Sequence, residues 1–312
     1  MAALTSRPWN DTSRRQSPAR SNPAPSRSLR AKPTRPDGMP GDYDLPGDTP
    51  GFAEAQAEMS TRSREAVTLP GAQFDVAYGP LPRQRLDVFP AGTDAPAHLF
   101  FRGGYWKLGE KEDRRFPATA WVAQGAAWIV PNYRLAPATS LPDILEDALA
   151  AFDWVISNAE ACGIDRTQIH LSGNSAGAQL AAMVAARAQP GRVASLTLIS
   201  GLYDLLPLLD EEPNSWLNLD VETARAMSPV HHLPSPELPV VVTCGGAETE
   251  AFRSQARQFA ETLKASGNPV DHFESPGQNH MEIIIEIGTP GTPVFAALER
   301  QLEERRNRLE CQ

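Results

Sequence analysis

A serine, a histidine and a glutamate in this chain stand where they could act as nucleophile, base and orienting acid. The sharpest signal is QIHLSGNSAGAQLAAMVAA, residues 168–186. It reads as a strand, then Gly173-Asn174-Ser175-Ala176-Gly177, then a helix of small residues. A serine on so sharp a strand-to-helix turn needs glycine two positions to either side, where a side chain would collide with its neighbours. The turn also sets the Ser175 hydroxyl at a helix N-terminus, where the dipole and the Ala176 amide favour developing negative charge. The plainer alternative is a glycine turn with an incidental serine.

A serine alcohol is a weak nucleophile until a base takes its proton. Behind an elbow of this kind the acid and then the histidine follow in chain order. The histidines C-terminal to Ser175 are His231, His232, His272 and His280. His231 and His232 precede the strand that should carry the acid, and His272 alternates inside the last strand. His280 lies in the loop SPGQNHMEII, just past that strand. It is the expected base. The acid should follow the strand over residues 239–243, in CGGAETEAF, which offers Glu248 and Glu250. Glu248 stands at the strand's end, whereas Glu250 reads as a first-turn helix carboxylate. Glu248 is therefore the expected acid, orienting the imidazole and stabilising its cation.

Acyl transfer builds an oxyanion that needs two or more backbone N–H donors. Ala176 supplies one. The segment LFFRGGYWKLG, residues 99–109, leaves a buried apolar strand through Arg102, Gly103 and Gly104. Gly103, Gly104 and Tyr105 are the candidates for the remaining donors. Arg102, Trp106 and Trp216 are candidate substrate-binding residues, with core packing as the alternative for each aromatic.

These residues need a frame that brings loop ends together. From about residue 70 the chain alternates short apolar runs (74–77, 85–89, 97–101, 126–130, 168–171, 193–199, 239–243 and 270–273) with helical patterns. Such patterns include 114–124, LPDILEDALAAFDWVISNAE at 141–160, 176–188, the face of Phe252, Ala256, Phe259 and Leu263, and 294–306. This alternation predicts an α/β protein with a mainly parallel eight-stranded sheet, helices on both faces and an antiparallel edge. Residues 202–236 depart from it and read as a small cap.

Composition narrows the function classes. The 312 residues are 41% hydrophobic and 21% charged, enough for a sizeable core. Residues 1–36 hold seven arginines and Lys32 against Asp11 alone, so the rest of the chain is more acidic than the net charge of -9 suggests. An acidic body argues against a nucleic-acid partner. No apolar run has the length of a membrane span. Three cysteines without metal-ligand spacing fit a reducing, cytoplasmic setting. Residues 1–50, rich in Pro, Ser and Arg, read as a disordered extension or, upstream of Met39, a translated leader. An organelle transit peptide and an arm for anionic surfaces are the other readings.

With these motifs in order, the chain resembles the kynurenine formamidase (arylformamidase) branch of the α/β hydrolases, near the hormone-sensitive-lipase-type esterases. Arg102-Gly103-Gly104-Tyr105-Trp106 stands where the family has HGGxW, and Tyr133-Arg134-Leu135-Ala136-Pro137 matches its YRLAP. SGLYDL at 200–205, MSP at 227–229, AETEAFRSQ around Glu248 and His280-Met281-Glu282 are similar to its later segments. The likeness covers about residues 70–300 and implies that residues 51–312 form one α/β-hydrolase domain. It implies a serine hydrolase with no metal or cofactor, acting on a small-molecule amide or ester. An aryl formamide such as N-formylkynurenine is the foremost candidate substrate. A carboxylesterase of short-chain or aryl esters and a non-catalytic binding protein are the alternatives. A homodimer is compatible with the sequence, and neither a membrane nor a nucleic acid is expected as partner. Two departures stand out. Arginine replaces the loop histidine at 102, where its fixed charge would suit an anionic substrate, and glutamate replaces the commoner aspartate at 248.

Overall fold

The computed structural model describes residues 42–43 and 50–310. The expected disordered extension therefore lies almost wholly outside the described residues. Tyr43, inside that stretch, is buried.

Eight strands form one sheet: β1 (Gln73–Ala77), β2 (Arg85–Phe89), β3 (Ala95–Phe101), β4 (Ala127–Pro131), β5 (Ile164–Asn174), β6 (Ser195–Ile199), β7 (Val240–Gly245) and β8 (Val270–Ser275). Their order is β1-β2-β4-β3-β5-β6-β7-β8. The first two pairings, β1 with β2 and β2 with β4, are antiparallel and the rest parallel. Every residue of β3, APAHLFF, is buried, as a strand covered on both faces requires.

The helices are α1 (Phe52–Ala66), α2 (Ala118–Ala123), α3 (Leu141–Asn158), α4 (Ala176–Arg187), α5 (Asn214–Leu217), α6 (Val221–Ala226), α7 (Glu250–Ala265), α8 (Glu282–Ile285) and α9 (Pro293–Glu310). Residues of α3, α4 and α7 share one apolar core and those of α1, α2, α8 and α9 the other, which sandwiches the sheet. Ser140 opens α3 by accepting the Asp143 N–H at 3.3 Å, with Pro142 in the first turn. The helix expected over 114–124 is instead a 3-10 turn, Lys111–Arg114, followed by α2. Pro117 explains the break, since it lacks an N–H and keeps the residue before it out of helical geometry. Short helical turns, α5 and α6 among them, fill residues 206–231. No helix among the described residues is long and apolar enough to cross a membrane.

Candidate active site

Parallel strands end together, so residues following β3, β5, β7 and β8 meet at one edge of the sheet. Ser175 follows β5 with φ 54° and ψ -124°, a backbone that costs energy for any side chain. Its N–H donates to the Ile199 carbonyl at 2.8 Å, which ties the turn to β6. A Cβ on Gly173 would overlap the Gly177 carbonyl, and one on Gly177 would overlap the Phe101 carbonyl of β3. Both glycines are thus fixed by backbone lying against backbone.

Glu248 follows β7 and is buried. Its Oε1 accepts the Gly245 N–H at 2.6 Å and the Ser200 hydroxyl at 2.5 Å. Its Oε2 accepts Nδ1–H of His280 at 2.6 Å. Three donors, from the end of β7 and the loops after β6 and β8, hold this carboxylate, so the His280 ring has a set direction. Phe252 packs against that ring at 4.4 Å between centroids. His280 Nε2 is buried and makes no hydrogen bond among the described residues. His280 and Ser175 line the same cavity of about 370 Å³. Glu250, the alternative acid, pairs with Arg257 on the helix surface at 2.5 Å. His231 lies in a 3-10 turn outside the cavity, and His272 sits half-buried in β8.

The loop after β3 differs from expectation in three places. Gly103 donates its N–H to Asn174 Oδ1 at 2.9 Å, so that amide is engaged. Gly104 (φ 116°) remains beside Ser175 in the cavity wall, as does Tyr105 (φ 48°). Ala176 begins α4, where a helix leaves its first amides without internal partners.

Arg102 is 1% exposed and absent from the cavity wall. Its guanidinium lies 4.4 Å over the Tyr133 ring and donates to Leu108 O (2.6 Å), Gly103 O (3.2 Å) and Asn132 Oδ1 (3.3 Å). It holds the loop from beneath and does not touch the cavity. Trp106 is fully buried, with Nε1 donating to Gln179 Oε1 at 3.1 Å, and belongs to the core. Trp216 does face the cavity, donating to the Tyr105 carbonyl at 3.2 Å.

Several lining or supporting residues were not anticipated. Phe52, Gln56 and Met59 of α1 and Tyr43 form part of the wall. Tyr43 is held by the Tyr105 hydroxyl on its carbonyl, by Gln255 Nε2 on its own hydroxyl at 3.0 Å, and by the Phe252 ring. Asn174 and Ser200 lie inside the elbow and the SGLYDL stretch, but their bonds to the Gly103 amide and to Glu248 could not be read from those motifs. Among the described residues no group of three or more His, Cys, Asp or Glu side chains gathers as a metal site.

Comparisons with known proteins fit this geometry. The α/β-hydrolase-fold family profile matches residues 98–284. Kynurenine formamidase of Danio rerio is 28% identical over 243 residues, 73% of this chain and 81% of the relative. Esterase LipI of Mycobacterium tuberculosis is 30% identical over 210 residues, 58% of this chain and 64% of the relative. Among solved structures, a thioesterase candidate from Silicibacter sp. TM1040 superposes with a TM-score of 0.72 at 28% identity. That match covers 82% of this chain and 96% of that one. The carboxylesterase EstE1 from a metagenomic library shares the fold with a TM-score of 0.62 at 20% identity, over 82% and 96% of the two chains. The chain belongs to the α/β-hydrolase-fold family and is a serine hydrolase of esters or amides.

Proposed function

We propose that the protein is an arylformamidase, releasing formate from N-formylkynurenine or a similar aryl formamide. The carrying observation is the buried Glu248–His280 pair opening on the cavity that holds the strained Ser175. Tyr105, Trp216 and Phe52 give that cavity aromatic walls suited to an aryl group. The formamidase relatives, matched over 69% and 73% of the chain, favour a formamide over a simple ester.

In this reading Ser175 Oγ attacks the formyl carbon while His280 Nε2 takes its proton. Negative charge gathers on the formyl oxygen and is met by the amides of Ala176 and Gly104, with Tyr105 beside them. His280 then passes the proton to the aryl nitrogen as the C–N bond breaks, leaving a formyl ester on Ser175. A water molecule, deprotonated by His280, attacks that ester; the bond from Ser175 Oγ to the formyl carbon breaks, His280 returns the proton to Oγ, and formate leaves. Glu248 holds the ring and stabilises its cation in both halves.

Steady-state kinetics on N-formylkynurenine and on p-nitrophenyl acetate test the reading. The expected result is a higher kcat/KM for the formamide, and loss of both activities by at least about 10³-fold in folded Ser175→Ala. A preference for the acetate supports the second reading, a carboxylesterase, which the esterase relative favours. Full activity in Ser175→Ala overturns both.

A further inference from the structure

The segment KEDRR, residues 111–115, packs three cations into five positions beside the cavity. Two of them are anchored. Lys111, 1% exposed, sets Nζ 2.8 Å from Asp75, 2.9 Å from Asp87 and 2.5 Å from Glu112. Arg115 Nε lies 2.6 Å from Asp87 Oδ2, and its guanidinium sits over the Phe74 ring. Together they pin the turn to the β1–β2 edge. Arg114, between them, is not used in this way. Its backbone carbonyl accepts Trp128 Nε1–H at 2.9 Å, which fixes the turn without the side chain. Its Nη1 donates to the Asp113 carbonyl at 3.0 Å, and its Nε is shut from solvent with no hydrogen bond. None of the described carboxylates forms an ion pair with it, and it lines the cavity that holds Ser175 and His280.

A half-buried guanidinium that feels the exposed Asp113 carboxylate but forms no ion pair among the described residues still lacks a matched anion. Burial, the largest influence, pulls the Arg114 pKa down to about 10; the neighbouring Asp113 charge opposes the shift and the Arg102 charge adds to it. It stays charged at neutral pH all the same. The surroundings add to the positive field. Arg102, under the same loop, makes its hydrogen bonds only to neutral acceptors. Lys107 lines the cavity with Nζ 3.9 Å over the Trp216 ring. The carboxylates on the cavity wall, Asp113 and Glu212, are both exposed, and Asp113 Oδ2 already accepts the Glu110 N–H at 3.4 Å. Two cations and two acids share the wall, and the cations, Lys107 and Arg114, are the less exposed, so an anion is favoured beside them. A planar guanidinium with free N–H groups matches a carboxylate in particular.

We propose that Arg114 is a specificity-determining residue that binds a carboxylate on the substrate, so that anionic aryl amides or esters are preferred over neutral ones of the same shape. The proposal rests on the reading that Ser175, Glu248 and His280 do their chemistry in this cavity. Lys107 and Arg102 contribute field, and Arg114 makes the contact.

Two matched substrate pairs test it. The formamide pair is 4-(2-formamidophenyl)-4-oxobutanoate and neutral 1-(2-formamidophenyl)butan-1-one. The ester pair is 4-acetoxybenzoate and neutral 4-methylphenyl acetate. In each pair a carboxylate replaces a methyl group. The wild type should prefer the anionic member, less so at high salt. In Arg114→Gln the anionic-to-neutral ratio of kcat/KM should fall by about 10–100-fold, carried by KM, since a charge-assisted bond is lost. Arg114→Lys should restore part of the preference, which separates a lost charge from a lost fold. A ratio within twofold of wild type in Arg114→Gln overturns the proposal. Should only the acetates be turned over, the arylformamidase reading fails and the ester pair alone decides on Arg114. Should neither pair be turned over, the catalytic reading fails and the proposal with it.

Discussion

The floor of the cavity, where the strands end, is held by backbone, whereas the roof over it is held by side chains. On the floor, Gly177 lies against the Phe101 carbonyl, and the Ser175 and Glu248 amides bond to the Ile199 and Gly245 carbonyls. On the roof, Tyr43 hangs from Tyr105, Gln255 and Phe252, and Trp216 from the Tyr105 carbonyl. Backbone contacts leave few choices of residue, while side-chain contacts can be exchanged at modest cost. Floor changes should therefore act on kcat, and roof changes on KM.

Glu248→Gln should give the largest effect among the floor changes considered. A glutamine amide facing Nδ1 of His280 opposes donor to donor and drives the ring to the wrong tautomer. We expect kcat to fall by about 10³–10⁴-fold, in keeping with such changes in other serine hydrolases, with the fold retained by circular dichroism. A loss below tenfold would mean that the carboxylate is not the orienting acid. Ser200→Ala is the subtler floor change. It removes one of three donors to Glu248 and leaves those from Gly245 and His280. A fall of about tenfold in kcat with little change in KM is expected, measured on the better of the two substrates. A rise in KM alone would move Ser200 from floor to roof in function.

The same division decides what could be read in the sequence. The placing of Ser175, Glu248 and His280 near one another was legible because a strained turn and parallel strand ends admit few residue types at fixed places; the structure sets Glu248 on His280, and Ser175 and His280 on one cavity. The eight strands were legible from short β-rich runs such as LFF and WIV. Arg102 was not legible: residue type announced a charge, but direction depends on Asn132 and Tyr133 some thirty residues on and on how the loop turns the Gly103 and Leu108 carbonyls toward it. Arg114 was hidden for the same reason, since only its neighbours' ion pairs reveal that it lacks one. The first helix, FAEAQAEMSTRSREA, was missed because the residues it buries are mostly small, Ala55, Ser63 and Ala66, with Met59 the one bulky side chain among them. So faint an apolar stripe falls below what helical periodicity can show.

Tyr43→Ala gives the smallest expected effect and the sharpest test of the roof. The ring touches Phe252, which in turn packs on His280, so two outcomes can be told apart. If Tyr43 only encloses substrate, KM should rise about three- to tenfold, the range expected from losing part of an aromatic wall, with kcat within about twofold. If Phe252 relays the loss to the imidazole, kcat should fall instead, and the separation of floor from roof would break at this contact. The double variant Tyr43→Ala/Ser200→Ala decides between them. Independent parts give multiplied effects, whereas coupling through Phe252 gives a shortfall or excess beyond about 0.5 kcal/mol.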